Sequence, residues 1–416
     1  MLYHLHDLRA LGVIPARSLA VGTQMALLSG PLTLLMNTPG GRLTEGYCDM
    51  FERCTRYTKK PSFGISSIEV DKNIYSVCEE MIMEKPFCRL LHFKKQGLPS
   101  DKYEPNVLII APISGHFATL LRDTVKRMLP LHNVFITDWI SACEVPLKHG
   151  VFSLDTYLDY LIDFLRAIGQ RTHVMAVCQP AVQVMAIAAI LEEAHDPVCP
   201  ITIIPMGGPI DPRRNPTSVN RFAETYSLKD FEKMLALVPL GHSGTGRRVY
   251  PGFLQLTAFL NMNPQNHMGK HIQYLEDCVA GREDKKKVHT TFYDEYFSLL
   301  DMDGTYFLET IDHIFQRYTL PRGLMTYHGH KIDLCAIEKT ALLTLEGEKD
   351  DISGPGQTYA AQDLCARLPA SKKAHYIQPG VGHYGVFSGS RWRQSIAPKV
   401  EDFIRAHDPI WSAEHV

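Results

Sequence analysis

Between residues 107 and 204 the chain repeats one pattern: a short unbroken apolar run, then a longer stretch with apolar residues at helical spacing. The runs at 107–111, 134–137, 173–177 and 201–204 contain almost no polar residue. Runs of that length read as strands covered on both faces. The stretches at 118–128, 157–168 and 181–191 read as the helices between them. Strands alternating with helices in this way predict βαβ units and a mostly parallel sheet. Residues 87–93 alternate well enough for one more strand before the first unit. The same rhythm returns late, with strands at 341–345 and 375–377 and helices at 358–368 and 394–406.

Two stretches break the rhythm. Residues 1–85 read as mainly helical and form an N-terminal extension, either packed on the core or offering an apolar surface to a hydrophobic substrate or a partner chain. Residues 211–321 read as long helices at 218–237, 253–260, 267–279 and 292–318, rich in Tyr and Phe, with no buried strand among them. The second stretch sits where a helical lid would cover the sheet. The expected division is therefore 1–85 extension, 86–210 core, 211–321 lid insertion and 322–416 core again.

Composition narrows the class. With 416 residues, 45% hydrophobic and 21% charged, the chain has the balance of a globular protein. A net charge of −2 gives no general attraction to nucleic acid or an anionic membrane. No unbroken apolar run reaches the length of a membrane span, and the first residues lack the basic and apolar blocks of a signal peptide, so a cytoplasmic protein is expected. The ten cysteines include no Cys-x-x-Cys pair, and His328 and His330 have no third ligand at a sensible spacing. Neither a disulfide scaffold nor a metal site is expected.

The chemistry gathers at residues 172–191, where a buried strand meets a buried helix at Cys178. A reactive side chain at such a turn is the nucleophile elbow of α/β-hydrolases, normally Gly-x-Ser-x-Gly. Here Ala176 and Pro180 replace the glycines and Cys replaces Ser, so the stretch taken alone fits a structural cysteine equally well. A thiol nucleophile needs a base, and the base an orienting acid, in the chain order nucleophile, acid, histidine. Asp350 follows the strand at 341–345, and His383 follows the strand at 375–377 in a Gly-rich loop. Asp351 competes with Asp350, which is preferred for its spacing from Gly347. Two backbone donors are needed for an oxyanion: Gln179 supplies one, and Ile113 or Ser114 the other. His116 either touches substrate or caps the following helix. Tyr250 and Phe253 are the lid residues expected to touch substrate with it. Gly241-His-Ser243-Gly-Thr-Gly246 imitates a serine elbow, but no strand precedes it.

Four segments together resemble the bacterial intracellular polyhydroxybutyrate depolymerases: Val177-Cys-Gln-Pro180, Arg247-Arg-Val-Tyr-Pro-Gly-Phe-Leu-Gln-Leu256, Glu346-Gly-Glu-Lys-Asp-Asp-Ile-Ser353, and Gly382-His-Tyr-Gly-Val-Phe387 with Trp392. The resemblance implies an α/β-hydrolase that cleaves esters of stored poly(3-hydroxybutyrate) through Cys178, Asp350 and His383, with a thioester intermediate and no cofactor. It implies attachment to polymer granules in the cytoplasm, beside other granule-associated proteins. It does not define the oligomeric state, and a homodimer stays open. Two rivals are a polyester-synthase-like acyltransferase, disfavoured by Ala176 and Pro180 in place of the synthase glycines, and a non-catalytic granule protein, disfavoured by the intact order of the three residues.

Overall fold

The computed structural model describes residues 2–56, 60–99, 102–262 and 264–411. The chain opens with α1 (Leu2–Ser29) and α2 (Pro39–Thr55), the latter capped by Thr38, whose Oγ1 accepts from Gly41 N–H at 3.1 Å. Strands β1 (Ser67–Val70), β2 (Asn73–Lys85) and β3 (Cys88–Gln96) follow. Next come β4 (Asn106–Ile110), α3 (Arg122–Met128), β5 (Asn133–Trp139), α4 (Leu154–Ile168), β6 (Thr172–Val177), α5 (Pro180–Glu193) and β7 (Thr202–Met206). Residues beyond β7 form α6 (Ser218–Thr225), α7 (Leu228–Glu232), β8 (Ala236–Leu237), β9 (Arg248–Tyr250), α8 (Gly252–Met262), α9 (Pro264–Val279), α10 (Glu283–Tyr296), β10 (Met302–Asp303) and α11 (Gly304–Thr310). After the small hairpin β11 (Thr326–Tyr327) and β12 (His330–Lys331), the chain closes with β13 (Ala341–Gly347), α12 (Ala360–Leu364), β14 (Lys373–Gln378), α13 (Gly389–Arg391) and α14 (Ala397–His407).

One nine-stranded sheet, ordered β1-β2-β3-β5-β4-β6-β7-β13-β14, organises these elements. From β5 to β14 every neighbour is parallel, while β1, β2 and β3 add an antiparallel edge. This is the α/β-hydrolase fold. The apolar runs explain the centre: all six residues of β6 are buried, and so is nearly all of α5. A strand buried on both faces and a helix with no polar face must be covered by protein on every side. The chain steps from β4 outward to β5 and then back across to β6. The direction of winding therefore reverses between β4 and β6, and a crevice opens at their carboxyl ends.

Three expectations need correction. Residues 73–85 were expected in a helix but form β2, which pairs along its length with β3. The strand is largely solvent-exposed, and a bulge between Met81 and Met83 interrupts its alternation, so its pattern carries little of the period-two signal. Second, α1 is not packed on the core along its length. From Leu8 to Ser29 it is long and apolar enough, by length and composition alone, to cross a membrane, and only 6% of that stretch is buried. Counting unbroken apolar runs missed it because Arg, Gly, Ser, Thr and Gln punctuate the sequence. Third, the 211–321 insertion is not purely helical: β8, β9 and β10 make a three-stranded sheet. Ser227 and Asp230 cap a new helix inside the expected 218–237 run, and Asp303 caps α11 inside the expected 292–318 run.

Glu346, near the end of β13, is buried and accepts from the N–H groups of Gly356 (2.9 Å), Thr358 (2.8 Å) and Tyr359 (2.9 Å). It thereby shapes the loop that follows Asp350. Glu346→Ala leaves these three donors without their acceptor and should lower stability by about 3 kcal/mol or more, read from the urea midpoint. A loss under about 0.5 kcal/mol would mean that the loop holds itself.

Candidate active site

Cys178 ends β6 with a φ of +66°. A non-glycine residue there is strained by about 1–3 kcal/mol, so the surrounding structure must enforce it. The Cys178 N–H donates to Met206 O at 2.8 Å, tying the turn to β7, and Pro180 starts α5 immediately afterwards. On the other side, a Cβ on Gly208 would lie 2.1 Å from Ala181 Cβ and 2.7 Å from Cys178 O. Only glycine lets the β7 loop close over the turn.

His383 reaches the same place from the loop after β14. Its Nδ1 lies 2.8 Å from Asp350 Oδ2, and the Cys178 sulfur is near enough to act on the same ring electrostatically. Asp350 is held in turn, its Oδ1 accepting from the N–H groups of Ile352 at 2.9 Å and Ser353 at 2.8 Å. Gly207, at a φ of +55°, clears this pair: its missing Cβ would sit 3.2 Å from Asp350 Oδ2. Asp351 is exposed and acts electrostatically on His267, Lys270, Tyr296 and Tyr384. The geometry therefore selects Asp350 over its neighbour. Burial pushes the His383 pKa down, but Asp350 and the Cys178 sulfur outweigh it and hold the imidazole well above its ordinary value.

The expected oxyanion donors lie on both sides of the crevice, Gln179 after β6 and Ile113 and Ser114 after β4. Ala111 N–H is already engaged by Thr137 Oγ1 at 2.9 Å, whereas the N–H groups of Ile113, Ser114 and Gln179 meet no protein acceptor among the described residues. The Gln179 side chain adds a contact that no local sequence pattern marks. Tyr306 of α11 donates its hydroxyl to Gln179 Oε1 at 2.6 Å, while Gln179 Nε2 is buried without a partner. Tyr306 is itself fixed by stacking on Tyr157 at 5.6 Å.

His116 does not cap a helix: the turn at Ala118–Leu121 has no side-chain cap. Burial lowers its pKa to about 4 against an upward pull from the Tyr296 backbone, and its Nε2 is buried and unpartnered among the described residues. The ring stacks on Phe259 at 5.3 Å and meets Tyr296 and Tyr384. Tyr384 also contacts His383, Phe387, Phe292 and Tyr296. The aromatic residues of α8 and α10 thus stand beside His383, on the Cys178 end of the sheet. Tyr250 and Phe253 lie elsewhere. Tyr250 is buried and stacks on Phe307 at 4.1 Å, and Phe253 meets Tyr3 of α1 edge-on at 5.6 Å. Both fill structural seams of the insertion, which its aromatic density alone could not distinguish from a substrate wall.

The decoys resolve simply. Ser243 sits in the turn between β8 and β9, where Gly244 packs against Cys143 O and His242 Nδ1 is 3.0 Å from Glu144 Oε1. His328 pairs with Asp159 at 2.9 Å. Cys143, Glu144 and His242 are a group close enough to share a metal ion, their ligand atoms all within 4.8 Å of one another. None of the site residues above belongs to it.

Residues 207–408 match the family model described as PHB de-polymerase C-terminus. This segment belongs to that family. It contains Asp350, His383 and the insertion, and it begins just after the strand pairing with the Cys178 turn. The match of this segment supports hydrolysis of esters. The search of curated proteins found no match. Solved structures similar to the chain include a putative lipase from Acinetobacter baumannii AYE, at 12% identity, 79% coverage of this chain and 92% of that one, and a TM-score of 0.44. A soluble variant of monoglyceride lipase from Saccharomyces cerevisiae is similar at 11% identity, 82% and 98% coverage and a TM-score of 0.47. Naproxen esterase from Bacillus subtilis is similar at 11% identity, 88% and 98% coverage and a TM-score of 0.43.

Two outcomes follow from this geometry. Because Asp350 helps raise the His383 pKa while burial opposes it, Asp350→Asn should bring the imidazole titration down, observed by NMR of labelled histidine. In the wild type the stabilising contribution of His383 is full below about pH 6.5 and is lost as pH rises through the raised folded value. An unchanged titration in Asp350→Asn would assign the raised value to Cys178 alone. Tyr306→Phe should reduce kcat on a soluble ester by about fivefold with little change in KM, since about 1 kcal/mol of positioning is lost. Unchanged kcat with lowered stability would make Tyr306 purely structural.

Proposed function

We propose that the protein hydrolyses the ester bonds of poly(3-hydroxybutyrate), with Cys178 as nucleophile, His383 as base and then acid, and Asp350 as its orienting group. The observation that carries this reading is His383 bonded through Nδ1 to Asp350, with the Cys178 sulfur acting on the same ring. The raised His383 pKa marks a strongly basic imidazole, suited to take the Cys178 proton as the sulfur attacks.

The sulfur attacks the ester carbonyl, and the C=O electron pair moves onto oxygen beside the N–H groups of Gln179 and of Ile113 or Ser114. Collapse breaks the C–O bond, and the alcohol end of the chain leaves with the proton from His383. Water then attacks the thioester, giving its proton to His383, and the carboxylic acid departs as the thiol is restored. His116, neutral at physiological pH, offers its unpartnered Nε2 to the substrate, and the rings of Phe292, Tyr296 and Tyr384 supply an apolar wall for the polyester. The cellular setting that suits such a substrate is the cytoplasmic polymer granule.

Cys178→Ala should cut 3-hydroxybutyrate release from amorphous polymer by about a thousandfold or more while leaving the fold intact. Residual activity above about 1% would move the nucleophile elsewhere. Release of coenzyme A from hydroxybutyryl-CoA, with none of the free acid from polymer, would replace the hydrolase by an acyltransferase.

A further inference from the structure

A broadly exposed apolar surface lies far along the chain from Cys178, on α1 and the turn that follows it. Leu8, Leu19 and Met25 are 64%, 73% and 63% exposed, and Leu34 is 81% exposed. Leu11, Ile14, Leu28, Leu32 and Leu35 are exposed beside them. At roughly 100° per residue, the six exposed large residues of α1 fall within about half of the helix circumference. The buried Ala20 and Leu27 face away from that half, toward α2. A soluble protein rarely leaves a patch of this kind without an occupant.

We propose that this half-cylinder is where the protein docks on the water-insoluble polyester itself, a proposal that rests on the depolymerase reading above. Three features select this occupant. A second copy of the helix would need the narrow seam of a helix pair, and the exposed arc is far wider than that. An anionic lipid surface would need projecting cations. Between Leu8 and Leu43 the only charged residues are Arg9, Arg17 and Arg42, and two of these turn inward: Arg17 donates to Thr55 O at 3.4 Å, and Arg42 to Met36 O at 3.0 Å and Val279 O at 3.3 Å. The same stretch contains no Asp or Glu, so pressing it onto a neutral, acceptor-rich solid strands no carboxylate.

Third, the helix that bears the patch packs on α2, which is tied to the wall beside the active site. Arg53 and Arg56 of α2 both reach Asp294 of α10 at 2.5 Å, and Tyr274 of α9 donates to Asp49 of α2 at 2.5 Å. Helix α10 carries the Phe292 and Tyr296 that contact Tyr384 beside His383. A particle seated on α1 is thereby held by the same assembly of helices that walls the active site.

The test compares the full-length protein with Leu8→Ser/Leu11→Ser/Leu19→Ser/Met25→Ser and, separately, Leu34→Asp, all at exposed positions. Co-sedimentation with amorphous poly(3-hydroxybutyrate) particles should fall by on the order of tenfold or more in the quadruple variant. Turnover of p-nitrophenyl butyrate should stay within about twofold, showing an intact fold and site. Leu34→Asp, in a separate turn, should weaken particle binding without touching helix propensity. Unchanged sedimentation of both variants would overturn the proposal. So would tighter binding to phosphatidylglycerol vesicles than to polymer, or a wild-type dimer that the quadruple variant converts to monomer with particle binding retained. Wild-type protein that sediments with polymer but releases no 3-hydroxybutyrate would support the docking surface and overturn the depolymerase reading instead.

Discussion

The left-handed turn at Cys178 is the constraint on which the site depends. It places a side chain clear of the sheet by denying it any other direction, and three neighbours enforce it: the Met206 carbonyl, the bare Cα of Gly208 and the fixed ring of Pro180. Each belongs to the packing of β6, β7 and α5, which are buried along nearly their whole length. Core density is thus converted into a local conformation that an isolated peptide would not hold. The loops bearing Asp350 and His383 then close against the Gly207-Gly208 surface, where any larger side chain would stand between them and the turn.

The insertion contributes more than cover. Arg247 is buried and spans its base, donating to Val145 O at 2.9 Å, Pro146 O at 2.8 Å and Gly150 O at 2.6 Å, and pairing with Asp303 at 2.9 Å. A guanidinium so fully engaged fixes the small sheet β8–β10 to the loop after β5. From that base α11 carries Tyr306 to Gln179. The oxyanion side of the site therefore depends on a helix from the insertion as well as on the sheet.

What could be read from the sequence follows from how local each signal is. The runs at 107–111, 173–177 and 341–345 have no fold in which they can be exposed, so their strands and the loops after them were legible. That legibility extended to Cys178, Asp350 and His383, since each follows such a run. Strand β2 was not legible because it is mostly exposed and bulged, and its Glu, Met and Lys residues suit a helix equally well. Strands β8, β9 and β10 are two or three residues long, too short for any period to register. The Tyr306–Gln179 bond joins residues 127 apart, and nothing at either position announces the other. The Met206-Gly-Gly-Pro209 turn did carry a signal, since paired glycines after a buried strand mark a close approach, here onto the Cys178 turn.

The chain order has a consequence for biosynthesis. Cys178 precedes His383 by about 200 residues, and the matched family segment begins only after β7. At roughly 5–20 residues per second, the ribosome extends the chain for about 10–40 s after Cys178 is made before His383 exists. During that interval the sulfur has no His383 imidazole beside it. The strands β13 and β14 that deliver Asp350 and His383 are also the last to join the sheet edge. Under the triad proposed above, the sulfur gains its base only once the chain is complete, and a truncated translation product ending before β14 lacks His383.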